Sequence, residues 1–131
     1  MILPITALYA ALLMIIVGYL GYKIGSLRGS TGISIFHGDN MEVATAMRRH
    51  GNFTENVPMA LILMGIVEAN GGNGIFLHVM GVALVLARIA HPIGLHHDSI
   101  AHPLRAVGAL GTFLVMVVLA GMALWQAVGA F

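Results

Sequence analysis

Ala69-Asn70-Gly71-Gly72-Asn73-Gly74 interrupts an otherwise almost unbroken apolar run, and its shortness governs the topology on either side of it. Glycine and asparagine supply the backbone conformations of a tight turn, and a connection this brief joins only antiparallel neighbours. Charged residues leave uncharged stretches at 1–22, 56–67, 69–87 and 106–131. Three of these are long enough to span a bilayer, for which about 20 apolar residues suffice. The stretch before the turn is only 12 residues long. Because the segment after the turn crosses the membrane, the one before it must cross too. Glu55 and part of the polar run ahead of it then sit where other helices shield them.

Composition agrees with that topology. Of the 131 residues, 59% are hydrophobic and only 8% charged, against roughly one-quarter charged in soluble domains. The expected fold is all-α: one integral membrane four-helix bundle over 1–131, with spans at about 4–24, 41–70, 75–91 and 103–128. A net charge of +1 provides no basic field for nucleic acid, and none is expected as a partner. Lys23, Arg28, Arg48 and Arg49 follow the first span, and Arg88 and Arg105 flank the loop after the third. The turn after the second span has no Lys or Arg. By the positive-inside rule both basic regions face the cytoplasm and both termini face the other side. The first span lacks a basic leader and ends at Tyr19, Tyr22 and Lys23, which reads as a retained helix with an interfacial end rather than a signal peptide. No cysteine is present, so the chain has no disulfide or thiol nucleophile, and sulfur chemistry needs a substrate thiol.

The first helix is expected to end near Ile24, with Gly18, Gly21 and Gly25 permitting close helix approach and residues 25–40 forming a polar loop. Asp39 or Asn40 is placed to cap the second helix, with Glu42 in its first turn. At roughly 30 residues, or about 45 Å, that helix exceeds the hydrocarbon thickness and projects beyond it. Pro58 lies inside it and removes the bond to the Thr54 carbonyl. His91-Pro92 is expected to end the third helix, and Pro103 to open the fourth, whose Trp125 sits at the far interface.

On the second helix Arg48, Asn52 and Glu55 stand at i, i+4 and i+7, within about 60° of arc. A guanidinium fork, an amide and a carboxylate on one stripe suit a small zwitterion with several charged ends. The same spacing suits an internal Arg48–Glu55 ion pair, and the two readings stay open at this point. Arg88 and His91 at the end of the third helix and Arg105 at the start of the fourth bring further cations to the same level. Arg105 with nearby backbone amides would make an anion site, or else anchor helix depth. His50 lies beside the stripe, as a ligand contact or a surface residue. His91, His96, His97, Asp98 and His102 match no dedicated metal-ligand spacing, so no metal is expected. His78 reads as a satisfied packing residue, Glu68 as an exposed interfacial carboxylate, and Met59 and Met64 as packing residues.

Arg48-Arg49-His50-Gly51-Asn52-Phe53-Thr54-Glu55-Asn56-Val57-Pro58 resembles the RxxxNxxExxP signature of the membrane-associated proteins in eicosanoid and glutathione metabolism. Arg88-Ile89-Ala90-His91 and Pro103-Leu104-Arg105 resemble that family's third and fourth helices. The resemblance implies a homotrimer in the lipid bilayer, with glutathione as co-substrate between neighbouring subunits at the cytoplasmic side. It further implies that Arg48, Asn52 and Glu55 hold glutathione, with Arg88 and His50 as further candidate contacts. Arg105 would stabilise the thiolate and His91 would line the same site. The implied activity is that of a transferase or peroxidase acting on a lipophilic electrophile or hydroperoxide. Ala44 and Thr45 replace a Glu-Arg pair, and Leu95 a tyrosine, of the eicosanoid-forming members. These departures argue against eicosanoid synthesis and leave Arg28 or Lys23 as compensating cations. They also admit a non-enzymatic binding or structural protein of the same fold. The pattern is nearer the bacterial members, which implies a bacterial inner membrane.

Overall fold

The computed structural model describes residues 2–130 and contains four helices: α1 (Pro4–Thr31), α2 (Met41–Ala69), α3 (Gly74–Gly94) and α4 (Pro103–Val128). Among the described residues there is no strand. The protein is an integral membrane four-helix bundle. α1, α3 and α4 are each long and apolar enough to cross a bilayer unaided, whereas α2 carries the polar stripe and does not qualify by its own composition. Large apolar side chains such as Met14, Ile15, Ile75, Leu110 and Leu124 are exposed around the outside, as a lipid-facing surface requires.

Contacts fix the directions of the helices. Glu68 at the end of α2 meets Ile5 and Thr6 at the start of α1, and Gly94 at the end of α3 packs on Arg105 at the start of α4. Gln126 at the end of α4 donates to the Val67 carbonyl of α2 at 3.2 Å. The chain therefore runs up and down, with the 70–73 turn and both helical termini at one end (the turn end). The loops 32–40 and 95–102 lie at the other, with Lys23, Arg28, Arg48, Arg49, Arg88 and Arg105 in that half (the basic end). Around the bundle the order is α1, α2, α4, α3, so α2 and α3 face each other across a diagonal with little contact. The turn was expected to join adjacent helices. It joins antiparallel ones, but α4 and α1 fill the positions between them.

Two boundaries depart from expectation. α1 continues to Thr31 rather than ending near Ile24, because its polar last turns can project from the membrane as an ordinary helix; Gly32, at φ 72°, then stops it in the left-handed conformation that glycine adopts without strain. Only 32–40 is loop, and Arg28 ties it down by donating to the Ile33 carbonyl at 3.1 Å. α3 passes through Pro92 to Gly94; a proline late in a helix forfeits one bond without ending it when packing holds the last turn. The start of α2 is as expected: of Asp39 and Asn40, it is Asn40 that caps the helix, accepting from the amides of Glu42 and Val43.

The core runs along the bundle axis through Leu13, Phe53, Met64, Leu77, Leu84 and Leu119. Met64 packs there as expected, while Met59 is exposed. The small residues that bring helices close are not those of α1. Gly18 and Gly25 have nothing within 4 Å of where a side chain would begin, and Gly21 meets only the His50 ring at 3.8 Å. Close approach occurs instead where Gly81 accepts the Tyr9 ring and Gly108 accepts the His91 backbone. His78 is satisfied by Tyr9, whose hydroxyl lies 3.0 Å from Nδ1 and donates to the His78 carbonyl at 3.1 Å.

Candidate functional site

α2 delivers the stripe as its periodicity requires. Arg48 donates from Nη1 and Nη2 to the two carboxylate oxygens of Glu55 at 2.7 and 3.1 Å, a bidentate pair that is the only ion pair among the described residues. The two side chains are 57% and 52% exposed. Both lie on α2, so the pair cannot clamp one helix to another. An exposed pair of this kind contributes little to stability and exchanges readily for other partners.

Asn52, between them, faces inward. Its Oδ1 accepts from Arg88 Nη1 at 2.9 Å, while Arg88 Nη2 donates to the Gly108 carbonyl at 2.8 Å. Thr112 donates to that same carbonyl at 2.9 Å. Arg88 is only 2% exposed and its Nε has no partner. It thus pins α2, α3 and α4 together across the diagonal instead of presenting its charge at the surface, as the sequence suggested. Among the described residues no carboxylate contacts it.

His91, 4% exposed, lies against Gly108. Arg105 is half-buried, and no hydrogen bond engages its guanidinium among the described residues. The anion site expected from Arg105 with neighbouring amides is not what α4 offers. His102 Nδ1 accepts from the Leu104 amide at 3.2 Å and the Arg105 amide bonds the His102 carbonyl at 3.1 Å, so the cap consumes those donors and leaves the side chain alone.

An open groove of about 240 Å³ joins these parts: Arg48 and Arg105 line it from α2 and α4. Ala44, Thr45 and Leu95 line it too, so all three departures from the eicosanoid-forming pattern fall on one surface. Asn52, Glu55, Arg88 and His91 lie beside or beneath that surface rather than in its lining. His50 points the other way, toward Gly21 of α1, away from Arg105. Arg28 is engaged within its own chain, donating to the Ile33 carbonyl and to Met47 Sδ. Lys23 lines a second pocket between α1 and α2.

The comparisons with known proteins bear on the same stripe. The MAPEG family model matches residues 6–125, which takes in all four helices and every residue just described. The chain belongs to the MAPEG family. Among MAPEG relatives, it is similar to inner membrane protein YecN of Escherichia coli strain K12, at 30% identity over 118 residues and 90% of each chain. The same-named protein of Escherichia coli O6:H1 matches to the same extent. No solved structure matches the chain.

For a MAPEG chain, two residue roles, one beside the groove and one at the turn end, were not legible in sequence. Arg49 resembles a second ligand arginine beside Arg48, yet its Nε and Nη2 both donate to the Leu95 carbonyl, at 3.1 and 2.8 Å. It fixes the loop that walls the groove. Glu68 is not a free interfacial carboxylate: it accepts from the Ile5 and Thr6 amides at 2.8 and 2.7 Å and caps α1. Its only sequence signal was that Leu3 offers α1 no side-chain cap.

Proposed function

We propose that the protein is a glutathione-dependent membrane transferase or peroxidase for lipophilic electrophiles or hydroperoxides. The observation that carries this reading is the imbalance of charge at the groove. Arg48 and Arg105 line it with Arg88 beneath, and among the described residues Glu55 is the one carboxylate that contacts any of the three. A positive cluster at membrane depth is costly without an anion, and glutathione carries two carboxylates and, once ionised, a thiolate.

Binding exchanges one exposed ion pair for two. Arg48 turns its fork to a glutathione carboxylate, and Glu55 takes the ammonium. Asn52 keeps its amide nitrogen for the peptide while Arg88 holds its oxygen. Arg105 is the catalytic group. A free thiol ionises near pH 8.5, and a guanidinium beside the sulfur lowers that value; about two units correspond to roughly 2.7 kcal/mol. In conjugation the thiolate forms a carbon–sulfur bond as the leaving group departs with its electron pair. With a hydroperoxide it attacks the distal oxygen, the O–O bond breaks and the alkoxide departs with its electron pair, taking a proton from water to become the alcohol; a second glutathione thiol then displaces the oxygen of the resulting sulfenic acid as water, giving the disulfide.

A groove of about 240 Å³ falls below the roughly 300–1,000 Å³ of ordinary ligand sites. This supports a homotrimer in which a neighbouring subunit completes the site. The charge pattern supports a cytoplasmic basic end, with the termini periplasmic and the substrate arriving through the bilayer.

The test is a glutathione titration followed by melting temperature, with turnover on a model electrophile. Wild type should be stabilised by mass action. Arg48→Ala should abolish that shift, and Arg105→Ala should retain most of it while losing about 100-fold in rate, as for removal of one oxyanion donor. Absence of any wild-type shift overturns the proposal. A second reading, a binding or structural protein without chemistry, is favoured by the apolar Ala44 and Leu95 in the groove wall. It predicts no glutathione-dependent turnover, with the melting shift kept by a binding protein and absent from a structural one.

A further inference from the structure

On the opposite side of Thr45, His96 and His97 from the groove lies a second pocket of about 450 Å³, between the basic-end turns of α1 and α2 and roofed by the 95–102 loop. Lys23 and Arg49 bring two positive charges to it, and Glu42 and Asp98 two negative ones. None of the four forms an ion pair with another among the described residues. Lys23 instead sits 5.9 Å over the Tyr19 ring, and Arg49 keeps Nη1 unused after binding Leu95. The pocket is therefore neutral in sum yet holds separated charges of both signs, which fits a ligand that is itself zwitterionic.

The approach to the pocket says what else that ligand carries. Leu8, Leu12, Ile15, Tyr19, Lys23 and Ser26 follow one another along α1 at spacings of four, three, four, four and three, so they form one stripe within about 80° of arc. The first four are exposed, Ile15 by 70%, and the last three line the pocket. Hydrocarbon, interfacial aromatic and charge thus succeed one another as they do along a phospholipid.

We propose that this pocket is a head-group site for a phospholipid bearing a primary ammonium, of phosphoethanolamine type, with one acyl chain along Leu8, Leu12 and Ile15. Lys23 and Arg49 Nη1 take the phosphate. Glu42 and Asp98 accept from the ammonium, which a quaternary choline head group cannot supply and an anionic glycerol head group lacks. The site is independent of the glutathione reading.

The test uses the full chain, purified in detergent and titrated with phosphatidylethanolamine, phosphatidylcholine and phosphatidylglycerol of one chain length, with binding read by melting temperature and native mass spectrometry. Wild type should prefer phosphatidylethanolamine by about tenfold, the worth of one well-placed charged contact. Glu42→Gln with Asp98→Asn, both at exposed positions, should bring the three lipids within about twofold, and Lys23→Ala should weaken all three. Water-soluble glycerophosphoethanolamine should compete on wild type only at about 100-fold higher concentration, and glycerophosphoglycerol should not compete. Equal binding of the three lipids by wild type, or an unchanged preference in the double variant, overturns the proposal. So does equal potency of the soluble head group, which would exclude the Leu8 to Ile15 stripe, and so does displacement of the lipid by glutathione, which would give the pocket to the other ligand.

Discussion

Arg88 illustrates how a residue's type can be legible and its role not. As a cation near the end of an apolar helix it reads as a ligand group, but the order of helices around the bundle carries it inside, where Asn52 and Gly108 are its partners. Removing one member of such a set strands the others. Arg88→Met should cost about 1–3 kcal/mol by leaving Asn52 Oδ1 unpaired in the interior. Asn52→Leu should cost a similar amount, by stranding the guanidinium. The double variant, apolar on both sides, should recover much of the loss, with a coupling of about 1–3 kcal/mol in a cycle of detergent melts. Strict additivity would mean that the two side chains do not depend on each other. At the other end of α2, Glu68→Ala should cost about 1–2 kcal/mol, as loss of a helix cap does. It should leave any glutathione-induced shift unchanged, because Glu68 lies at the turn end and the stripe at the basic end; a lost shift would show that the ends communicate.

Among the elements, close packing sits where one chain's glycines meet bulky neighbours, and this separates two sets of glycine that look alike in sequence. Gly108→Ala drives a methyl into the His91 backbone, and overpacking of this kind typically costs 1–3 kcal/mol. Gly18→Ala meets nothing within 4 Å and should instead be neutral or gain up to about 1 kcal/mol from helix propensity. Thermal melts of the two variants in one detergent measure the contrast. Helix number, the Asn40 cap region and the Pro103 start were legible because local chemistry sets them: an Asx side chain takes amide donors, and proline suits a first turn. The helix ends at Thr31 and Gly94 were not, since tertiary contacts and a glycine decide where a helix that could continue does stop. The Arg48, Asn52, Glu55 stripe was legible from spacing. Its outcome, one exposed pair around an inward amide, depends on which face of α2 meets α3 and α4, and no local signal carries that.

At the scale of the whole molecule, charge asymmetry predicts which end faces which compartment. The six basic residues lie in the half of the bundle that holds the loops 32–40 and 95–102, while the turn end has no Lys or Arg. Transfer of so many cations across a membrane is disfavoured, so the basic end should remain in the cytoplasm. The chain has no cysteine, which makes single thiols clean reporters. Asn70 and Ser30 are exposed at opposite ends of the bundle, and neither side chain bonds another helix. In spheroplasts a membrane-impermeant maleimide should label Asn70→Cys and leave Ser30→Cys untouched. In inside-out vesicles the pattern should reverse. Labelling of Ser30→Cys in spheroplasts would invert the topology and put the groove on the periplasmic side, away from the reducing compartment in which glutathione is kept as a thiol. Orientation therefore decides whether the groove meets its proposed co-substrate at all, before any question of rate.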